Sequence, residues 1–429
     1  MNATPVKRGL LHDAQGKSFI LPFVLVTSLF FFWGVANNMT DTLLAAFKKI
    51  MSMSDFQTSL IQLSFYGSYF CFALPAALFI RKKSYKAGIL LGIILYATGC
   101  VLFYPASVTA NYYHYLIAIY ILAGGCSILE TSANPYIIVM GSSETGTRRL
   151  NLAQSFNPMG SITGILLSQV FILGELNSAN AAERAGMNAE ALQKIQASEL
   201  LAVTMTYVSV GLVLLIIFFL ILRAQMPEAS DPDKTKLAPV FKRLLANKNY
   251  VRGVVAQFFY VGAQIGVWSY TIRYIMNNLQ LNEADAATWY LASLILFSVA
   301  RFIFTGLMKF IKPGMLLIIS AILAGFACLG TIFLGGWAGS ISLVTISFFM
   351  SLMFPTIYGL GVEGLGDDAK IGGSGMIMAI LGGAILTAVQ GYISDLSSIA
   401  FAFWVPLVCF VVIMLFGFST LKRGKTLSA

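Results

Sequence analysis

Apolar residues run through this chain in long blocks separated by short polar turns. A helix rises 1.5 Å per residue, so about 20 mostly apolar residues cross the ~30 Å hydrocarbon layer of a bilayer. Blocks of that length predict spans at 19–47, 57–80, 86–105, 112–140, 150–173 and 200–224, then at 251–277, 285–309, 313–334, 341–362, 371–395 and 400–421. Between the sixth and seventh lies a polar stretch holding Pro227, Pro232 and Pro239 among many charges. The pattern predicts an all-α integral membrane protein of twelve transmembrane helices in two six-helix halves. Residues 1–224 form the first half, 225–249 a linker and 250–429 the second half. Two local echoes support a parallel repeat: a basic, Gly-containing turn follows both span two and span eight, and Gly160 aligns loosely with Gly382.

Composition agrees. The chain is 58% hydrophobic and 11% charged, with a mean hydropathy of +0.79, and hydrocarbon excludes charge. A net charge of +10 could suggest nucleic acid, but the distribution of that charge argues against it. With the N-terminus inside, 22 of the 28 Lys and Arg residues fall in the tails, the linker or inner turns such as Arg81 to Lys86. Only Lys48, Lys49, Arg184 and Lys194 fall outside, and Arg273 and Arg301 lie within spans. Basic residues concentrate on the cytoplasmic side of membrane proteins, so both termini are expected there, in a bacterial inner (plasma) membrane. Lys7, Arg8 and Lys17 precede an apolar run too long for a signal peptide, so the first helix is expected to direct its own insertion. The outer loop 174–199 is Ala-rich and charged, as a short surface helix would be.

The five cysteines lie inside apolar runs with no disulfide or metal spacing. His12 and His114 are the only histidines, and no P-loop pattern occurs. An enzyme, a metal site, a cofactor and direct ATP drive are therefore not expected.

Ionisable groups at membrane depth are expensive, so each is a functional candidate. Span one carries Asn37, Asn38 and Asp41 on one helical face, with Asp41 about 33 Å along the axis. In span four, Ser127, Glu130, Thr131 and Asn134 form a polar stripe at i, i+3, i+4 and i+7, followed by Pro135. A buried structural carboxylate needs a fixed partner, and the first half has no intramembrane lysine to supply one. A carboxylate without a cation is cheaper to bury protonated, and such a group can carry a proton. Span five adds Asn151, Gln154 and Asn157 at intervals of three. Span two contributes Gln62, Tyr66 and Tyr69, and span seven Gln257, Tyr260, Gln264 and Trp268. Amides with aromatics suit a hydroxyl-rich ligand. The second half offers Phe354 and Tyr358 in span ten and a Gly-rich span eleven able to pack closely. The expected cavity is asymmetric, with titratable and amide groups on one side and a stacking wall on the other.

At FFFWGVANNMTD in span one, SYKAG after span two, LETSANPY in span four and RRLNLAQSFN at the start of span five, the chain resembles the L-fucose–proton symporter family of the major facilitator superfamily. The stretches AQFFYVGAQIGVWSYTIRY, FPTIYGLG and GYISD extend the resemblance through the second half. The Gly-Asp-Arg signature common to facilitators is absent from the turn after span two. The resemblance implies that Asp41 and Glu130 are the protonatable pair and that Asn157 helps form the sugar site. Thr40 stands where that family commonly has Asn, Phe354 where it has Tyr, Pro158 follows Asn157, and span eleven lacks the usual Pro after Thr387. Relatives in the wider family carry glucose, galactose or N-acetylhexosamines, some with sodium. A drug–proton antiporter would share the fold but show a more apolar cavity. The expected partners are a small neutral sugar, protons and the lipid bilayer, with no nucleic acid, and the protein is expected to be monomeric.

Overall fold

A computed structural model describes residues 10–12, 18–51, 53, 55–177, 179, 183–184, 186–227 and 237–426. Side chains are described throughout these segments except at 41–42, 44–45, 48–49, 55–59, 62, 283–284 and 422–426. Among the described residues there is no strand, only a bridge between His12 and Ser18.

The first four spans are Ile20–Ile50, Asp55–Lys82, Tyr85–Thr109 and Tyr112–Val139. Span five is broken into Gly146–Gln154 and Phe156–Phe171, and span six is Ala189–Arg223. Spans seven to nine are Lys248–Leu279, Glu283–Leu307 and Pro313–Phe333. Span ten is broken into Gly336–Met350 and Met353–Val362; span eleven runs Ala369–Met378 and Gly382–Leu396, and span twelve is Trp404–Thr426. Eleven of these segments are long and apolar enough to cross a membrane. Span seven is long enough, but Gln257, Gln264, Arg273, Asn277 and Asn278 interrupt its apolar surface. One expectation changes. The charged stretch before residue 200 continues directly into span six as one helix of 35 residues, which overshoots the hydrocarbon layer.

Local chemistry sets the ends. Asn111, Asn188, Asn247 and Asn282 each accept a backbone N–H of the helix that follows, as N-caps do. Lys86 caps the end of span six by donating to the carbonyls of Leu222 and Ala224, at 2.9 and 2.8 Å. Arg149, fully buried, closes span four through the carbonyls of Ile137 and Ile138. The breaks in spans five and ten each lie within four residues of a proline. Proline cannot donate to the carbonyl four residues earlier, so Pro158 frees the carbonyl of Gln154 and Pro355 that of Ser351.

Span one packs on span five, and span seven on span eleven, by matched close approaches. A Cβ at Gly160 would collide with the Phe31 carbonyl, and one at Gly382 with the Phe258 carbonyl. The loose alignment of these two glycines thus corresponds to the same contact in each half. The halves meet at the end of the bundle that carries the linker. There Asn151 Nδ2 donates to Thr356 Oγ1 at 3.1 Å, Arg148 Nε to the Thr305 carbonyl at 3.3 Å, and Thr147 sits against Gly359. The linker itself contains a helix, Leu237–Ala246. Val240 and Leu244 are buried, and Arg243 makes a two-pronged bond to Asp368 at 2.7 Å on each arm.

Candidate substrate cavity

Between the halves lies a cavity of about 140 Å³. Span one lines it with Asn37 and Asn38, span two with Tyr66 and Tyr69, span four with Glu130, and span five with Gln154 and Asn157. The opposite wall comes from Gln264 and Trp268 of span seven, Tyr290 and Arg301 of span eight and Phe354 of span ten. Tyr66, Ile265, Trp268 and Tyr290 also line a larger void of about 770 Å³ that reaches Tyr270 and Gly391, towards the bundle end opposite the linker. Ligand cavities are usually about 300–1,000 Å³, so the central space reaches that range only together with this vestibule.

Glu130 is 1% exposed and makes no ion pair among the described residues. Its polar neighbour is the Tyr69 hydroxyl, which sits between Glu130 and the Trp33 indole. Neither Glu130 Oε2 nor the Tyr69 hydroxyl closes a well-formed hydrogen bond. Span five presents its amides through its own packing. Asn157 Nδ2 donates to the Phe30 carbonyl at 3.1 Å, where the missing side chain of Gly34 lets the two helices touch. Gln154 Nε2 donates to Asn134 Oδ1 at 2.7 Å. Across the cavity Trp268 Nε1 donates to Ser347 Oγ at 3.2 Å, which holds the indole upright in the wall.

Four expected contacts lie behind the lining. Asn134 is fully buried and reaches the cavity only through Gln154. Tyr260 donates its hydroxyl to the Met350 carbonyl at 3.2 Å and supports Phe354 edge-on at 6.1 Å. Gln257 is buried nearer the linker end of span seven, on the same stripe as Gln264. Tyr358 is buried beside Gly373, in the seam that closes the linker end. A stripe at helical spacing runs the length of a span, whereas the cavity occupies only part of that length. Asp41 falls on the helix of span one, and its side chain, like that of Gln62, lies outside the described residues.

Helical spacing alone gives Arg301 no role. The signal was present, because an arginine in the run LASLILFSVARFIFTGL is as costly as Glu130 in span four. It brings a cation from the second half into the cavity that Glu130 enters from the first.

Two six-helix halves closed at one end around a polar central cavity define a membrane transport protein. The model of the Major Facilitator Superfamily matches residues 23–376. An L-fucose-proton symporter of Haemophilus influenzae is 40% identical over 95% of this chain and 98% of its own length. A glucose/galactose transporter of Brucella abortus is 32% identical over 94% of each chain. The crystal structure of a Major Facilitator Superfamily transporter, FucP, in the outward conformation superposes with a TM-score of 0.89 at 37% identity, covering 94% of this chain and 99% of that one. The chain belongs to the Major Facilitator Superfamily and, within it, to the family of the L-fucose–proton symporters.

Proposed function

We propose that this protein takes up a small neutral sugar, L-fucose or a similar monosaccharide, together with protons by alternating access. The observation that carries the reading is Glu130. It is a buried carboxylate without an ion-pair partner among the described residues, on the wall of a central cavity whose other polar groups are mostly amides and hydroxyls. Amides pair with sugar hydroxyls in both directions, Trp268 and Phe354 offer flat apolar faces to a ring, and Glu130 accepts and returns a proton. Asp41, higher on span one, is the second proton carrier and lies nearer the opening. Neutralising both carboxylates lowers the cost of closing the cavity around them, the step that alternating access requires. A membrane potential assists each entering charge by about 2.3 kcal/mol per 100 mV.

On this reading the linker end is cytoplasmic, as are both termini, and the membrane is the bacterial inner membrane. Residues 1–224 and 250–429 move as the two halves about a linker at 225–249. The protein acts as a monomer, without a cofactor and not as an enzyme. The observed closure at the linker end, through Asn151 and Thr356, is then the outward-facing arrangement. A second substrate reading, glucose or galactose, is supported by the Brucella abortus relative.

The test is uptake of labelled L-fucose into proteoliposomes under an inward proton gradient, with galactose, glucose and N-acetylglucosamine as competitors. Accumulation that collapses with a protonophore and is competed less well by these three sugars than by unlabelled L-fucose is expected. Uptake indifferent to the proton gradient, or driven by sodium instead, overturns proton coupling.

A further inference from the structure

Pro158 of span five and Pro355 of span ten each free one backbone carbonyl, that of Gln154 and that of Ser351. A bare carbonyl in the middle of a membrane protein must find a partner other than water. Arg301 of span eight supplies it to both. Its Nη1 donates to the Gln154 carbonyl at 3.0 Å and its Nε to the Ser351 carbonyl at 2.5 Å. The side chain is 2% exposed, its guanidinium lies 4.5 Å from the centroid of the Phe297 ring, and it pairs with no carboxylate among the described residues. Gln154 belongs to the first half, and Arg301 and Ser351 to the second. This double cap therefore exists only while the halves are together at the linker end.

We propose that Arg301 is a positioning residue that latches the two halves at the linker end by capping the carbonyls freed by Pro158 and Pro355. For the halves to part, its guanidinium must leave the Gln154 carbonyl. The same guanidinium lines the cavity beside the Gln154 side chain, so a ligand oxygen that accepts from it replaces the carbonyl it gives up. Occupancy of the cavity then lowers the cost of releasing the latch. That last step rests on the sugar-transport reading, whereas the latch does not.

The test is a distance. Glu144 and Glu363 are exposed on linker-end turns of the first and second half. Both are changed to cysteine and spin-labelled, with the exposed Cys71 changed to serine and the four buried cysteines left in place. Pulsed electron-spin distances are measured on the full chain in nanodiscs, without sugar. The parent is expected to show mainly the short, closed distance. Arg301→Ala shifts the population to longer distances, and Arg301→Lys shifts it partway, because one ammonium cannot fork to both carbonyls. An unchanged distribution in both Arg301 variants overturns the latch. If the distances respond as expected while the parent takes up no monosaccharide, the latch stands and the transport reading falls.

Discussion

Gln154 donates through Nε2 to Asn134 Oδ1 at 2.7 Å, joining span five to span four immediately behind the cavity wall. The bond commits one N–H of Gln154 to the protein and leaves its oxygen and second N–H for a ligand. Asn134, fully buried, sets the direction of Gln154 rather than meeting the ligand. The polar stripe of span four is therefore split. Glu130 faces the cavity, and Asn134, one turn on, faces the neighbouring helix.

Gln154→Ala is expected to weaken sugar binding by roughly 1–3 kcal/mol, the cost of a desolvated hydroxyl left unpaired. Asn134→Ala is expected to cost less, and the double variant no more than Gln154→Ala alone, because the two amides act as one unit. Calorimetric titration on the four proteins of this cycle checks it. Additive losses would mean that Asn134 contacts the sugar itself.

Glu130→Gln is expected to abolish accumulation against a gradient while sugar exchange across the membrane continues. The amide keeps the hydrogen-bonding shape beside Tyr69 but cannot release a proton. Counterflow and proton-driven uptake, measured on the same proteoliposomes, separate the two activities. Normal pH-driven accumulation in this variant would remove Glu130 from the mechanism.

Asp41→Asn is expected to block net uptake and to leave binding to the solubilised protein measurable. On the proposed mechanism the proton reaches Asp41, beyond Asn37 and Asn38 on span one, before it reaches Glu130. A variant that accumulates sugar normally under an inward proton gradient would leave Glu130 to couple alone.

Gly160→Ala and Gly382→Ala are each expected to lower thermal stability, by at least the roughly 1–3 kcal/mol typical of overpacking. The added methyl meets a backbone carbonyl of the facing helix, which cannot rotate away as a side chain would. Gly306→Ala, with open space around its Cα, is the control and is expected to leave the melting temperature unchanged. Melting followed by tryptophan fluorescence in detergent reads all three.

Glu199→Gln is expected to loosen the loop before span six. Glu199 pairs with Arg184 at 2.5 Å and accepts the Asn177 N–H at 2.8 Å, with both charged side chains 2% exposed. Breaking a buried pair costs about 3–5 kcal/mol; a loop at the end of the bundle gives less, roughly 1–3 kcal/mol, because water reaches the freed charge more easily. Faster hydrogen exchange across 177–188 with unchanged exchange in span four would fit this. Unchanged exchange in the loop would show that the pair contributes little.

The number and order of the helices were legible in the residues alone, because hydrocarbon imposes a length and an apolarity that each span must satisfy by itself. Span one, expected at 19–47, is Ile20–Ile50, and span nine, expected at 313–334, is Pro313–Phe333. The start of span six, expected at 200 and found at Ala189, is not legible because the helix leaves the hydrocarbon there and polar residues no longer mark a boundary. Helical spacing also shows which face of each span is polar, and so singles out Glu130, Gln154, Asn157, Gln264 and Trp268, which the fold then brings to one cavity. Depth along the stripe was not legible. Gln257 and Gln264 are equivalent in sequence, yet only Gln264 meets the cavity, because how far the cavity extends is set by where the opposite half closes. Arg301 shows the same limit more sharply. Its position in span eight is plain in the sequence, and so are Pro158 and Pro355. That one guanidinium answers the carbonyls freed by both prolines follows only from packing spans five, eight and ten against one another, since a backbone carbonyl has no letter in the sequence.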